Sequence, residues 1–133
     1  VATGLEEQLV SNIDTIVGDS TTRYVKCSGF EKTLRSRHES FFATNSQADT
    51  ITALSLTITY LDTSGRMLHR VSRHIDCDIP GGETRQLTIP TWDSQQAFYY
   101  RLSTAPKLTT HATPFDVKIE VDTICITNST DIK

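Results

Sequence analysis

Hydrophobic and polar positions alternate with a period of two through most of the chain. The clearest run is ITALSLTITYLD, residues 51–62, where Leu54, Leu56, Ile58 and Tyr60 alternate with Ser55, Thr57 and Thr59. Successive side chains of a strand point to opposite faces, so this run predicts a half-buried strand with one wet face. RMLHRVSRHIDC, residues 66–77, follows with Met67, Val71, Ile75 and Cys77 on one face and Arg70, Ser72, His74 and Asp76 on the other. His69 and Arg73 interrupt the apolar face, which predicts a strand near a sheet edge, where charge discourages strand addition. FDVKIEVDTICI, residues 115–126, sets Phe115, Val117, Ile119 and Val121 against Asp116, Lys118, Glu120 and Asp122. Its phase then shifts by one residue near Thr123, as a bulge would make it do.

Shorter runs complete the set. TTRYVKC carries Val25 and Cys27 on one face, HESFFAT follows a charged connection over 31–37, and RQLTI carries Leu87 and Ile89 before Pro90 stops it. AFYYRLS alternates Phe98, Tyr100 and Leu102 inward against Tyr99 and Arg101. NSQADT and KLTTHATP read as loops, and IPGGET as a turn in which Pro80 fixes φ and the glycine pair accepts positive φ. About seven short strands at hairpin-like intervals predict an all-β, Ig-like antiparallel β-sandwich. A single domain over 21–127 is expected, after a lead-in segment over 1–20 and before a frayed tail over 128–133. In the lead-in, Leu5, Leu9, Ile13 and Ile16 stand at near-helical spacing, which suits a short helix or an irregular lead-in strand.

TYLDTSGRML, residues 59–68, nearly spells the Asp-Thr-Gly signature of an aspartic protease. That chemistry needs Gly directly after Asp-Thr and a second Asp loop sharing a proton. Ser64 holds the glycine's place, and VDTICI at 121–126 has no glycine. Asp62 to Gly65 is therefore expected to be a turn, with Gly65 as the left-handed residue of a bulged hairpin loop.

Composition narrows the class. The chain has 133 residues, 22% charged and 37% hydrophobic, which suits one folded, soluble domain. Its net charge of −3, with no block of like charge, gives no reason to seek nucleic acid. No apolar run approaches ~18 residues, so no membrane span is expected. No signal peptide is read in the chain, and an export signal or lipid anchor upstream of Val1 stays open. Of the three cysteines, Cys27, Cys77 and Cys125, at least one is unpaired within a monomer. Buried small hydrophobes, one disulfide with a free thiol, and a catalytic thiol are the three readings open to them.

The runs FFATNSQADTITALSLTITYLDTSGRML, IDCDIPGGETRQLTIP and AFYYRLS together resemble the FxLYD-type domains, Ig-like sandwich modules of exported bacterial proteins. Asn45-Ser46, Tyr60-Leu61-Asp62, Gly65 and Gly81-Gly82-Glu83 occupy the places of that pattern, with an extra glycine and a longer TWDSQQ segment as departures. The resemblance covers about two thirds of the chain. It implies a non-enzymatic accessory module at the cell envelope, exported to the periplasm or cell surface, and transfers no catalytic or binding residues.

Several clusters invite chemistry. His69 and His74 are five apart on one strand and so face opposite ways, where zinc wants converging ligands. With His38 and His111 scattered, no metal or other cofactor is expected. No G-x-S-x-G elbow supports a Ser-His-Asp hydrolase, which stays a remote alternative. Asn128 opens an Asn-Ser-Thr glycosylation triplet. Arg66, Arg70, Arg73, Arg85 and Arg101 fall on neighbouring hairpins, as a basic patch or as cross-strand partners of Asp and Glu. Trp92, Tyr99 and Arg101 are the candidate ligand-binding residues, because exposed rings stack on sugars and arginine bonds to hydroxyls or acids. Against that, Trp92 plugging one end of a sandwich is an equally physical use of a lone tryptophan. The expected function is a non-catalytic interaction or spacing module with a protein or glycan partner at the cell envelope. A carbohydrate-binding module is the alternative.

Overall fold

The computed structural model describes residues 13–17, by their backbone, and residues 23–107 and 111–127. The apolar positions Leu5 and Leu9 and the tail from Asn128 lie outside them. Eight strands follow in order: β1 Ile13–Val17, β2 Val25–Glu31, β3 His38–Asn45, β4 Thr50–Leu61, β5 Met67–Ile79, β6 Thr84–Pro90, β7 Phe98–Tyr100 and β8 Thr113–Thr127. One sheet runs β1-β8-β4-β5, with β7 also paired to β8, and the other runs β2-β3-β6. The chain is an all-β sandwich. Its order places β2-β3-β6 against β5-β4-β8 as strands A-B-E face C′-C-F in an Ig-type domain, with β1 where strand G would lie.

Alternation builds the core. Leu54, Leu56, Ile58 and Tyr60 of β4 are fully buried, facing Phe41 and Ala43 of β3 and Leu87 and Ile89 of β6. Ser55 and Thr57 of the same strand keep their hydroxyls on the wet face, where Thr57 Oγ1 donates to Asp122 Oδ2 at 2.5 Å. The bulge expected near Thr123 is present: Ser55 pairs with Thr123 but Leu56 pairs with Val121, so Asp122 is the extra residue. That extra residue restores Ile124 and Ile126 to the core. β5 is the outer strand of its sheet, as His69 and Arg73 foretold.

One open choice is decided and one expectation changes. Residues 13–17 take the lead-in strand rather than the helix, because the free edge of β8 offers a ladder in which Ile13 meets Thr127 and Val17 meets Thr123. A lone helical turn would have no such partner and nucleates poorly. The AFYYRLS run is shorter than its alternation suggests, and β7 runs parallel to β8, with Phe98 opposite Thr113 and Tyr100 opposite Phe115. The chain turns away after Tyr100 because Ser103 N donates back to Tyr100 O at 2.8 Å.

The Asp62 turn is as expected. Its Oδ1 accepts from Ser64 N at 2.9 Å, Ser64 Oγ at 2.6 Å and Arg66 N at 2.9 Å. Gly65 has φ +93°. The Ser64 hydroxyl first, then the Arg66 N–H, hold the Asp62 carboxyl down at about 2. A depressed carboxyl stabilises the fold above its unfolded pKa and stops doing so as pH falls through the folded one. Asp62→Ala should therefore lower the melting temperature at neutral pH. Its difference from the parent should vanish as the pH falls to about 2, as circular dichroism melts would show.

At the opposite end, Asn45 is fully buried. Its Nδ2 donates to Asp49 O at 2.7 Å and Ile79 O at 2.8 Å, tying the β3–β4 loop to the β5–β6 turn. The glycine pair there divides its labour. Gly82 takes positive φ at +78°, whereas a Cβ on Gly81 would collide with Ala48 O and stand 2.7 Å from Gln47 O. Both neighbours are backbone and cannot swing aside. Gly81→Ala should cost about 1–3 kcal/mol in urea denaturation, as overpacking usually does.

Candidate functional site

The charged and aromatic side chains gather at the other end of the sandwich, where the loops after β2, β6 and β7 meet. Lys32 directly follows β2 and is 1% exposed. Its Nζ reaches Asp93 Oδ2 at 2.9 Å, Phe98 O at 2.7 Å, Thr33 O at 3.1 Å and Leu34 O at 3.2 Å. Asp93 accepts in turn from Ala97 N at 3.0 Å and Phe98 N at 2.8 Å. A buried ion pair needs this saturation of its remaining valences, since desolvation otherwise exceeds the Coulomb gain. Lys32 N also donates to Ser103 Oγ at 3.1 Å, and Tyr100 N to Lys32 O at 2.9 Å. One lysine thus fixes three loops.

Beside it lies a second buried acid. Glu39 shares the inward parity of Phe41 and Ala43 and has no exposed surface. Tyr60 Oη donates to its Oε1, while Oε2 accepts from Thr91 Oγ1 at 2.7 Å and Trp92 N at 3.3 Å. Burial pushes the Glu39 carboxyl up against the opposing pull of Tyr60, Thr91, the Trp92 N–H and the Lys32 charge. The Tyr60 phenol is also pushed up, by burial first and then by the Glu39 charge. A carboxyl raised in the folded state stabilises it below the unfolded pKa and loses that contribution as pH rises through the folded pKa. The stability of the parent relative to Glu39→Gln should therefore fall as pH is raised from ~4. A difference that stays flat or grows, in urea midpoints across that range, would contradict the raised carboxyl.

Trp92 caps this network. Its ring stacks on Tyr60 at 4.1 Å and 25°, meets Phe98 at 5.3 Å and stands edge-on to Phe115 at 5.0 Å. His69 stacks beyond, 6.3 Å from Trp92. Of the three candidate ligand residues, Trp92 is thus built into the end of the core. Tyr99 lies half-buried on β7, on the alternate side from Phe98 and Tyr100. Arg101 is exposed and pairs with Asp116 Oδ2 at 3.2 Å. Trp92 sits with Phe98 on the inner side, so the three do not form one platform.

The other clusters resolve similarly. Each of the five hairpin arginines finds a partner: Arg66 with Asp62, Arg70 with Thr59 Oγ1, Arg73 with Pro90 O, Arg85 with Glu83 and Arg101 with Asp116. Only Arg101–Asp116 joins separate segments through an acid; Arg66 and Arg85 pair with acids of their own turns, and Arg70 and Arg73 meet a hydroxyl and a carbonyl. His69 and His74 face opposite ways, and among the described residues no three His, Cys, Asp or Glu side chains could share a metal ion. Among the same residues no helix is long and apolar enough to cross a membrane. Cys27, Cys77 and Cys125 are free. Burial pushes the Cys27 thiol up to about 11, and burial with Asp76, Asp78 and Cys125 does the same for Cys77, so neither is a ready nucleophile. Cys77 and Cys125 flank β4 on β5 and β8. Two ladder spacings, ~10 Å, separate such positions, too far for a disulfide.

The structure does assemble one Ser-His-Asp row that the sequence did not single out. Ser55 Oγ stands 3.2 Å from His74 Nδ1, and His74 Nε2 stands 3.1 Å from Asp76 Oδ1. The row lies on the open outer face, with His74 60% and Asp76 89% exposed. Acyl transfer also needs N–H donors aimed at a developing oxyanion. β4 is laddered to β5 on one side and β8 on the other, so the backbone around Ser55 is committed to those ladders.

Concave surface lies at the loop end instead. One groove of about 380 Å³ lies between Gly29–Glu31 and Leu102–Thr104, with Tyr100 at its base. A second of about 420 Å³ lies between Thr33–Arg35 and Thr104–Lys107. Their walls are the end of β2 and two of the segments that Lys32 fixes, the loop after β2 and the one after β7. Glu39 was legible as an acid of inward parity in HESFFAT; Lys32 and Asp93 stand in no periodic run and gave no such signal. Compared with protein-family models, curated proteins and solved structures, the chain matches none.

Proposed function

We propose that this chain is a non-catalytic interaction module of the bacterial cell envelope, engaging a partner through its loop end. The observation that carries the reading is the Lys32–Asp93 clasp, which ties the loop after β2 and the segment at Ser103, walls of two adjoining grooves, to the loop before β7. Loops held rigid on a sandwich are a common way to present a binding surface. The resemblance to FxLYD-type modules supports the envelope setting, and the pattern's Asn45 and Pro80–Glu83 places are joined through Asn45 O, which accepts from Gly82 N at 2.8 Å. The glycan alternative lacks a shared platform for Trp92, Tyr99 and Arg101.

Two measurements test the reading. A thermal-shift panel of neutral glycans, peptidoglycan fragments and divalent metals should leave the melting temperature unchanged, because a ligand of the folded state must raise it. A rise with one neutral glycan, abolished in Tyr99→Ala, would favour the carbohydrate-binding alternative. Turnover of a chromogenic ester that disappears in Ser55→Ala would overturn the non-catalytic assignment.

A further inference from the structure

The two grooves join, since Thr104 lines both, and their charges are unmatched. Arg35 and Lys107 line the second groove, and neither makes an ion pair among the described residues, whereas Arg66, Arg85 and Arg101 each pair with a carboxylate. Glu31, in the first groove, likewise has no cationic partner among them. Leu102 stands over the same groove at 68% exposure, beside the outer strand β2, which in the described sheet is hydrogen-bonded only to β3. The joined groove therefore offers the outer edge of β2 as far as Glu31, beyond which Lys32 is already bonded to Tyr100 N and Ser103 Oγ, and an aliphatic contact in one half. Two free cations stand in the other half.

We propose that this groove binds an extended peptide of a partner protein, with a large aliphatic side chain against Leu102 and an acidic side chain, a few residues further along, between Arg35 and Lys107. The proposal rests on the interaction-module reading and names its ligand class. An open strand edge recognises a peptide backbone through ladder hydrogen bonds, which a sugar cannot supply. The nearby rings also disfavour sugar stacking: Phe30 and Tyr100 stand edge to face at 5.0 Å and 77°, and both pack on Phe115. Glu31 disfavours a uniformly acidic chain, so aliphatic and acidic residues must both be present.

The test uses a fluorescein-labelled octapeptide containing leucine followed by two aspartates, read by fluorescence anisotropy. Controls are the same peptide with lysine for aspartate, and an unlabelled oligogalacturonate as competitor. The aspartate peptide should bind at least about tenfold more tightly than the lysine peptide, and should weaken as salt rises from ~50 to ~500 mM. Arg35→Glu with Lys107→Glu should reduce its affinity by about tenfold or more. Both side chains are exposed, so the melting temperature should stay within about 2 °C of the parent. Absence of binding, equal binding of the lysine peptide, or full binding by the reversed variant would each overturn the groove assignment. Displacement by oligogalacturonate at equal or lower concentration would overturn the peptide in favour of an acidic glycan. Peptide binding untouched by the charge reversals would leave an interaction module with its site elsewhere, whereas Ser55-dependent ester turnover would remove the module reading and not the groove.

Discussion

Lys32→Met should cost about 3–5 kcal/mol, as breaking a buried ion pair from one side usually does. The substitution keeps most of the side chain's volume, so the loss is electrostatic. Asp93 would remain buried with the N–H groups of Ala97 and Phe98 as donors but no counter-charge. The carbonyls of Thr33, Leu34 and Phe98 would each lose a donor. Unpaired buried acceptors carry their full desolvation cost. For a domain of this size the melting temperature should fall by roughly 10–15 °C. Asp93→Asn should be less damaging in the Lys32→Met background than alone, because it removes the orphaned charge. A double-mutant cycle in urea should show a coupling of at least about 1 kcal/mol. A Lys32→Met protein within about 1 kcal/mol of the parent would show that the clasp does not hold the loops.

Trp92→Ala should cost about 3 kcal/mol, near the lower end for loss of a large aromatic side chain because the ring is only half-buried. Deletion leaves Tyr60, Phe98 and Phe115 facing a void, removing ring contacts at 4.1, 5.3 and 5.0 Å. Trp92→Phe should recover part of the loss by refilling the site with an aromatic ring. Melts followed by circular dichroism suit both variants, since Trp92 is the chain's only tryptophan and its fluorescence is lost with it. A melting temperature unchanged by Trp92→Ala would place the ring outside the core and reopen it as a ligand platform.

The strands were legible because the core of a sandwich is written in alternation. β4 reads directly off ITALSLTITYLD, and even the Asp122 bulge shows as a change of phase. β1 was not legible, because its ladder lies on β8 at the far end of the chain and its Ile13 and Ile16 fit a helix as well as an edge strand. β7 was legible as a strand but not as a parallel one, since direction depends on where the long loop after it returns. At the loop end, Trp92 was visible as a lone ring, and its plugging role was foreseen beside the ligand role. The clasp was not, because Lys32 and Asp93 are 61 residues apart and nothing local marks either as buried. Arg35 and Lys107 were equally silent: a charge without an ion pair among the described residues is defined by the neighbours it lacks, and those are set only when the loops are in place.

The strand order also dictates when the protein can fold. β8 follows every other described strand, yet it sits inside its sheet, paired with β4, β1 and β7. Until it leaves the ribosome, the β4–β5 hairpin keeps a bare edge, and β1 waits without a partner over a hundred residues away. Sheets closed by such distant pairings form slowly, because the loop entropy is lost before the contacts repay it. Before β8 is made, the nascent chain is thus an open β2-β3-β6 sheet beside a lone hairpin, and the 15 residues Thr113–Thr127 convert that into a closed sandwich.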